Sequence, residues 1–151
     1  IVHHRNHEVT LSGVEKRGLL HGVLGLPGRT VDVHAICAHL GLSEVQRDQQ
    51  LELLCHIVRD EVPADAPLIV AGDFNDWRGR AHRVLEEGAA LREVFVHANG
   101  YAARTFPARF PVLPLGRIYV RNAGVHAPVG LPRRPWSHLS DHAPLVAEIT
   151  L

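Results

Sequence analysis

The chain has 151 residues, of which 46% are hydrophobic and 21% charged, as expected for one globular domain rather than a disordered or collagen-like chain. Its 16 basic and 16 acidic side chains cancel, so the net charge gives no reason to expect a polyanion as partner. The C-terminal third, residues 100–151, is basic, which suits a phosphate-bearing partner. The sequence has no methionine and begins at Ile1, so we interpret it as part of a longer or processed chain.

The first half of the chain predicts a β-hairpin followed by a helix. Two apolar runs, 19–26 and 30–38, are joined by Pro27-Gly28-Arg29, which is typical of a hairpin. Ser43-Glu44-Val45-Gln46 has the pattern of a capping box. Beyond it, apolar residues recur at helical spacing as far as Pro63, where we expect the helix to have ended.

The second half predicts a buried strand, a short helix and further strands. Residues 68–71 are an apolar run bounded by Pro67 and Gly72, which favours a central, buried strand. A helix is predicted over 79–87, with Gly88 as its stop signal. Further strands are predicted over 91–96, 117–120 and 143–149. The alternation of strands and helices is typical of an α/β fold.

Cysteine usage and hydropathy bear on the compartment. Cys37 and Cys55 lie in apolar stretches and lack metal-ligand spacing, so we expect free thiols in a reducing compartment and favour the cytoplasm. We also expect no membrane span, because no apolar run approaches the ~18 residues that a span needs.

A polar turn follows the predicted strand 68–71. In Gly72-Asp73-Phe74-Asn75-Asp76, the Asp73 carboxylate could orient and deprotonate a water molecule. The Asn75 amide could donate hydrogen bonds to a developing oxyanion. An Asx-rich turn with no chemical role explains the same residues, so this motif alone does not decide between the two.

A second polar motif, Ser140-Asp141-His142, precedes the last predicted strand. Asp141 could give an oxygen ligand to a divalent cation, since hard cations prefer oxygen. His142 could give an imidazole to a phosphate or a leaving group. A strand entry with a partly exposed histidine is the alternative interpretation.

Other histidines are weaker candidates. His39 ends the second strand of the hairpin and could contact phosphate, although a histidine bonded to the backbone would fit there too. His3, His4 and His7 lack the HExxH and HxHxD spacings, so the sequence gives little support for a transition-metal site near its start.

Taken in order, these motifs resemble the endonuclease/exonuclease/phosphatase superfamily. The residues that carry the resemblance are His39-Leu40, Arg47, Gln50, Leu68-Ile69-Val70-Ala71-Gly72-Asp73-Phe74-Asn75, Arg117-Ile118-Tyr119-Val120 and Ser140-Asp141-His142. The flanking segments 15–21 and 103–107 are similar to those of a bacterial branch of small members. The resemblance runs through nearly all of the chain.

The resemblance implies a fold and a cofactor. Family members are Mg²⁺- or Mn²⁺-dependent phosphoesterases. Their fold is a four-layer α/β sandwich, in which two mixed sheets pack face to face with helices outside. On this basis Asp141 would be a metal ligand, and the substrate would be a phosphoester.

The resemblance also implies roles for individual residues. Asp73 would position or deprotonate the attacking water, and Asn75 would hold the scissile phosphate. His39 and His142 would stabilise the phosphate oxygens, and Arg117 is placed with Asn75 and His39 among the substrate contacts. Such groups suit phosphoryl transfer, which depends on positioning and on neutralising charge.

Two features depart from the family pattern. Members carry an early strand ending in Asn and then a Gln-Glu pair whose Glu binds the metal, but neither Glu8 nor Glu15 follows Gln. We therefore expect residues 1–151 to form one domain that lacks its N-terminal strands. Members also carry Asp where this chain has Gly116. Because that Asp would orient the histidine at position 142, we expect weakened catalysis.

The predicted function is therefore a divalent-metal-dependent phosphodiesterase, nuclease or phosphatase, with this chain itself inactive if the metal-binding Glu lies upstream. One alternative is a non-catalytic module that binds phosphate ligands. Another is a structural fragment that self-associates through its incomplete sheet. Nucleic acid, phospholipid and small phosphate esters are all open as substrates, because a shared fold does not choose among them.

Overall fold

The computed structural model describes residues 1–11, 16–124 and 126–151, which form strands and helices in a mixed order. The strands are β1 (His3–Glu8), β2 (Gly18–Leu24), β3 (Val33–His39), β4 (Leu68–Asp73), β5 (Arg92–Glu93), β6 (Gly116–Arg121), β7 (His126–Val129) and β8 (Val146–Ile149). The helices are α1 (Glu44–Glu61), α2 (Arg80–Ala89), α3 (Val94–Asn99) and α4 (Arg133–Trp136). None of the described helices is long and apolar enough to cross a membrane.

Six of the strands form one mixed sheet, in the order β1-β2-β3-β4-β6-β5. Strands β3 and β4 pair in parallel with α1 as the connection between them, and the other neighbours pair antiparallel. Strands β7 and β8 form a separate antiparallel pair. The predicted hairpin (β2 and β3) and the predicted central strand (β4) are therefore confirmed.

Helices cover one face of the six-stranded sheet, and the other face is covered only in part, since Leu20 of β2 and Cys37 of β3 are exposed on it. On one face lies the main core, which the sheet forms with α1 and α2; Leu19, Leu54 and Leu85 are fully buried there. On the other face, Ile118 of β6 and Ile149 of β8 belong to a second apolar cluster. The sequence of layers is helices, sheet, sheet, which confirms the expected α/β class with two sheets packed face to face.

Strand β1 was not expected from the sequence. Its residues, of which His3, His4 and His7 are histidines, show no apolar alternation. The strand forms because each residue from His3 to Glu8 pairs with β2 in antiparallel register. An edge strand of polar residues of this kind resists pairing with other chains. Strand β7 was likewise unexpected, and β8 is shorter than the predicted strand 143–149.

The predicted strand over 91–96 is wrong. Only Arg92–Glu93 pairs with β6, and the chain then turns into α3. The side chain of Glu93 accepts a hydrogen bond from the Val96 N–H and so caps the helix. Gly100 ends it in the left-handed conformation, with φ of 81°. The β-branched residues of this segment favoured a strand, but the cap and the packing of Val94 and Phe95 favour a helix.

The predicted end of α2 at Gly88 is also wrong. The helix continues through Gly88 to Ala89, and Ala90 provides the left-handed C-cap, with φ of 52°. The Ala90 N–H donates to the Leu85 carbonyl, which satisfies one of the helix's terminal acceptors. Gly88 instead lies against Cys55, because a Cβ at this position would be 3.0 Å from the thiol sulfur.

We expect Ala90→Gly to raise the free energy of unfolding by about 1 kcal/mol, because glycine adopts the left-handed conformation without the strain of a Cβ. The measurement is urea denaturation. The control is Ala64→Gly. Ala64 is exposed and has a negative φ, so glycine there should only raise the entropy of the unfolded chain and lower the free energy of unfolding. An equal loss of stability in both variants would contradict the prediction.

Candidate active site

At one end of the central strands of the six-stranded sheet, β3 and β4 end and β6 begins. In register, His39 of β3 lies opposite Asp73 of β4, and Asp73 lies opposite Gly116 of β6. The Leu40 N–H donates to the Asp73 carbonyl at 2.9 Å. Because β3 and β4 are parallel, their carboxyl ends form the kind of edge where open α/β sheets place ligands.

Gly72 allows β4 to approach β3 closely just before this edge. Its φ is 149°, and a Cβ at this position would lie only 1.9 Å from the Ala38 carbonyl oxygen. Only a residue without a side chain fits there. Gly72 therefore determines where the backbone of Asp73 lies relative to β3.

The Asp73 carboxylate lies between two imidazoles. Its Oδ1 accepts the Asn75 N–H at 3.0 Å, which orients the carboxylate. Its Oδ2 lies 3.8 Å from His39 Nε2 and 3.9 Å from His142 Nε2. Both separations are longer than a hydrogen bond, so one ligand oxygen could contact the carboxylate and either ring together.

Asn75 is fixed by its backbone and by its side chain. It is 5% exposed and adopts the left-handed conformation, with φ of 49°. Its Nδ2 donates to the Leu40 carbonyl at 2.9 Å. An amide nitrogen carries two N–H donors, and this carbonyl takes one of them. A strained non-glycine residue of this kind is a feature of many functional sites.

The loop that carries Asp141 and His142 is held by short polar contacts. The Ser140 hydroxyl donates to Asp141 Oδ1 and accepts the His142 N–H, both at 3.2 Å. The Asp141 carbonyl accepts the Ala108 N–H at 2.7 Å. The His142 ring packs against Phe106, with 4.9 Å between ring centroids. These contacts place His142 beside Asp73 although the two are far apart in the chain.

These residues line two adjoining lobes of one cleft. The residues common to both lobes are His39, Asp73 and His142. The first lobe, of about 690 Å³, has Lys16, Arg17 and Trp77 in its wall. The second lobe, of about 650 Å³, includes Asp141. Both volumes lie within the range of about 300–1,000 Å³ typical of ligand pockets.

A sequence model of a protein family, described as "Endonuclease/Exonuclease/phosphatase family", matches residues 3–142, which is most of the chain. The matched segment contains all six residues predicted for the site. The chain belongs to the endonuclease/exonuclease/phosphatase family. The predicted resemblance is thereby confirmed.

Relatives and solved structures agree with this assignment. The chain is 50% identical to YbhP of Escherichia coli K12 over 151 residues. The match covers all of this chain but only 59% of the length of YbhP. A mannosyl-6-phosphatase from Bacteroides thetaiotaomicron is 15% identical with a TM-score of 0.77, covering 100% of this chain and 67% of that one. TDP2 of D. rerio, crystallised with a single-stranded DNA product, is 19% identical with a TM-score of 0.70, covering 93% and 64%. At these identities the two structures show a shared fold.

All six predicted site residues of this family member lie in the lining of the same cleft: His39, Asp73, Asn75, Arg117, Asp141 and His142. They come from the ends of β3 and β4, from β6 and from the loop before β8. The alternative of an Asx-rich turn also describes the geometry correctly, since Asp73 accepts the Asn75 N–H. The same two residues therefore form the turn and line the candidate site.

The side chain of Arg117 is not exposed among these residues. Arg117 is 4% exposed, and its Nη2 donates to the Asp76 carbonyl at 3.3 Å. The Asp76 carboxylate accepts the Ala81 N–H at 2.7 Å near the start of α2. Arg117 therefore stabilises the loop after β4 through this hydrogen bond to Asp76. A direct contact between Arg117 and substrate stays a prediction.

Sequence reasoning missed three residues in the wall of the cleft: Lys16, Arg17 and Trp77. Arg17 Nη1 lies 2.6 Å from His39 Nε2 and 3.2 Å from His39 Nδ1. Since a guanidinium can only donate, Arg17 donates to the His39 ring. The Arg47 guanidinium lies 4.8 Å from the Trp77 ring centroid. The position of Trp77 directly after Asp76 was the available signal.

Gly116, where the resemblance predicted an aspartate, contacts Thr105. The Gly116 N–H donates to Thr105 Oγ1 at 2.9 Å, and a Cβ on Gly116 would lie 3.2 Å from Thr105 Cγ2. The Thr105 carbonyl accepts the Ala143 N–H at 2.7 Å, next to His142. Thr105 thus links β6 to the loop that carries His142 and fills part of the space that an aspartate would need.

Proposed function

We propose that the full-length protein is a divalent-metal-dependent phosphoester hydrolase with its active site in this cleft. The observation that carries the proposal is the Asp73 carboxylate, which is oriented by the backbone and has His39 and His142 on either side. Family membership supports the same reaction class. The neighbours that act on a sugar phosphate or bind a DNA product are consistent with it.

Asp73 is the base in this mechanism. Its Oδ1 is engaged by the Asn75 N–H, so Oδ2 is the oxygen that can take a proton from an attacking water in the cleft. Its orientation is fixed before substrate arrives, because the Asp73 backbone pairs with Gly116 of β6 and accepts a hydrogen bond from the Leu40 N–H. Such preorganisation lowers the barrier to proton transfer.

The phosphate is held by hydrogen-bond donors. The second N–H of the Asn75 amide and the rings of His39 and His142 are the groups that would contact its non-bridging oxygens. Negative charge on these oxygens is what phosphoryl-transfer enzymes neutralise. Lys16 and Arg17 add positive charge at the wall of the same lobe.

The donor set fits Mg²⁺ or Mn²⁺. Asp73 and Asp141 both line the second lobe, and Mg²⁺ is usually bound by one or two carboxylates together with water. Asp141 is exposed, with its Oδ1 bonded to Ser140, and is the residue that would hold the ion. A bound ion would supply positive charge beside the phosphate.

Removal of divalent metal should abolish hydrolysis. We expect the full-length protein to hydrolyse bis-p-nitrophenyl phosphate or p-nitrophenyl phosphate with Mg²⁺, to lose this activity in EDTA and to regain it when Mg²⁺ or Mn²⁺ is added in excess. The release of p-nitrophenol measures it. EDTA saturated beforehand with Mg²⁺ is the control, and it should leave the rate unchanged.

The same assay separates the remaining alternatives. A higher kcat/KM for the diester indicates a phosphodiesterase or nuclease, and a higher value for the monoester indicates a phosphatase. Turnover that persists in EDTA would contradict metal dependence. Phosphate-ester binding without turnover in either condition would support a non-catalytic binding module instead. Self-association through the sheet and a cytoplasmic location stay predictions.

A further inference from the structure

A second cluster of titratable side chains lies away from the cleft. It consists of His7 on β1, His21 on β2 and Glu61 at the end of α1. Glu61 Oε2 lies 3.4 Å from His7 Nε2 and 3.6 Å from His21 Nδ1. One ligand atom of each residue lies within 4.8 Å of the other two. We propose that these three residues form a transition-metal site that takes Zn²⁺.

The fold places all three side chains in one layer. His7 pairs with Leu19 across β1 and β2, and Leu19 belongs to the core beneath α1. Side chains two residues apart share a face of a strand, so His21 points to the same side as Leu19. Glu61 reaches this layer from the last turn of α1. His21 is 5% exposed, so the cluster lies largely between sheet and helix.

One nitrogen atom of the cluster lacks a partner. His7 Nε2 is buried and has no hydrogen-bond partner among the described residues. His21 Nε2 lies 2.8 Å from His34 Nδ1, and in the tautomer whose Nε2–H donates to His34, the Nδ1 lone pair of His21 faces Glu61. A cation between this lone pair, His7 Nε2 and the Glu61 carboxylate would bind all three groups.

The donors and their spacing suit Zn²⁺. Two imidazole nitrogens and one carboxylate oxygen form a known zinc ligand set, with a fourth position open to water. Bonds of about 2.0–2.2 Å in a tetrahedron place neighbouring ligand atoms about 3.3–3.6 Å apart. The two measured separations from Glu61 Oε2, 3.4 and 3.6 Å, agree with this. Mg²⁺ is disfavoured, because it prefers six oxygen ligands.

The surrounding residues support the ligands as they do in known metal sites. Glu61 Oε1 accepts from Arg5 Nη1 at 3.2 Å, which orients the carboxylate and leaves Oε2 for the metal. The hydrogen bond from His21 to His34 would hold the imidazole in the tautomer that ligates through Nδ1. Partners of this kind commonly fix the orientation and basicity of metal ligands.

The proposed zinc site is separate from the candidate active site. Its carboxylate is the last residue of α1, whereas Leu42, just before the first turn of α1, lines the cleft. A helix of 18 residues spans about 27 Å. Zn²⁺ at Glu61 would therefore not touch a phosphoester in the cleft. Its role would be structural, because it would tie the edge strand β1 to β2 and α1.

Zn²⁺ binding by the full-length protein tests the inference. The probe is Zn²⁺ itself, titrated against a chromophoric chelator in millimolar Mg²⁺, which keeps the carboxylates of the cleft occupied. We expect one tight Zn²⁺ per chain. His7→Ala and Glu61→Gln should each weaken binding by more than about 100-fold, since even an outer-shell partner contributes about 10–100-fold. Zn²⁺ should raise the Tm of the parent protein and not that of either variant.

His4→Ala is the matched control. His4 is an exposed histidine on the same strand, opposite Gly22 and on the other face of the sheet. We expect it to bind Zn²⁺ within twofold of the parent protein. Circular dichroism checks that each variant folds. Equal affinity in the His7 and His4 variants, or no tight Zn²⁺ in the parent protein, would overturn the proposal. Since no hydrolysis is measured, these results are independent of the proposed phosphoesterase activity.

Discussion

Replacing Asp73 by Asn should lower kcat/KM for phosphoester hydrolysis by about 10²–10⁴-fold, the usual contribution of a general base. The substitution keeps the size of the side chain and an oxygen that can accept the Asn75 N–H. The turn should therefore persist, while the group can no longer take a proton from water. The loss should appear in kcat, and the Tm should change little.

Asp65→Asn is the matched control for this experiment. Asp65 is an exposed carboxylate in the turn before β4, at the opposite end of the strand from the site. The two variants change the net charge equally, so a general electrostatic effect on substrate binding would affect both. Unchanged turnover in the Asp73 variant, with the full-length protein and saturating Mg²⁺, would rule out Asp73 as the base.

Replacing Gly72 by Ala should lower the free energy of unfolding by at least about 3 kcal/mol, which is a large fraction of the stability of a typical domain. The added Cβ would lie 1.9 Å from the Ala38 carbonyl oxygen. Relief of this clash requires β3 and β4 to separate, and both strands lie at the centre of the sheet. Urea denaturation measures the change, and failure to obtain folded protein is the extreme case of the same result.

Gly28→Ala separates the clash from the backbone strain. Gly28 also has a positive φ, of 77°, but a Cβ there would meet nothing within 4 Å. Only the strain of the left-handed conformation remains, which costs about 1–2 kcal/mol. If the two alanine variants lose equal stability, then close packing of β4 on β3 is not what requires glycine at position 72.

Much of the candidate site could be predicted because its main groups follow strand ends. Asp73 and His39 lie at the carboxyl ends of strands whose apolar runs are clear in the sequence, and parallel pairing brings such ends together. The position of His142 before the last predicted strand made it a candidate, but its place in the same site as Asp73 required the family resemblance, because contacts between distant loops leave no local pattern. Arg117 was assigned from the resemblance alone, and its contact with substrate stays a prediction. Arg117 lies two residues from the buried Tyr119 on β6, and this alternation places its side chain on the helix-covered face.

The proposed zinc site could not be predicted from the spacing of its ligands in the sequence. His21 and Glu61 are 40 residues apart in the numbering, and their contact depends on where α1 ends against β2. The strand prediction over 91–96 was wrong because it relied on local composition. A strand and a short buried helix can have the same apolar composition, and the cap by Glu93 together with the packing of Val94 and Phe95 favours the helix.

Two of the groups for chemistry, His39 and Asp73, belong to a different part of the scaffold from several residues of the cleft wall. His39 and Asp73 are fixed by pairing within the central sheet, whereas Lys16, Trp77 and Phe106 lie outside its strands. Loops tolerate substitution and insertion far better than paired strands do. Substitutions in these loops can therefore change what the cleft accepts without disturbing the strands that hold His39 and Asp73. Proteins with 15–19% identity that share this fold illustrate how far sequences can diverge on one scaffold.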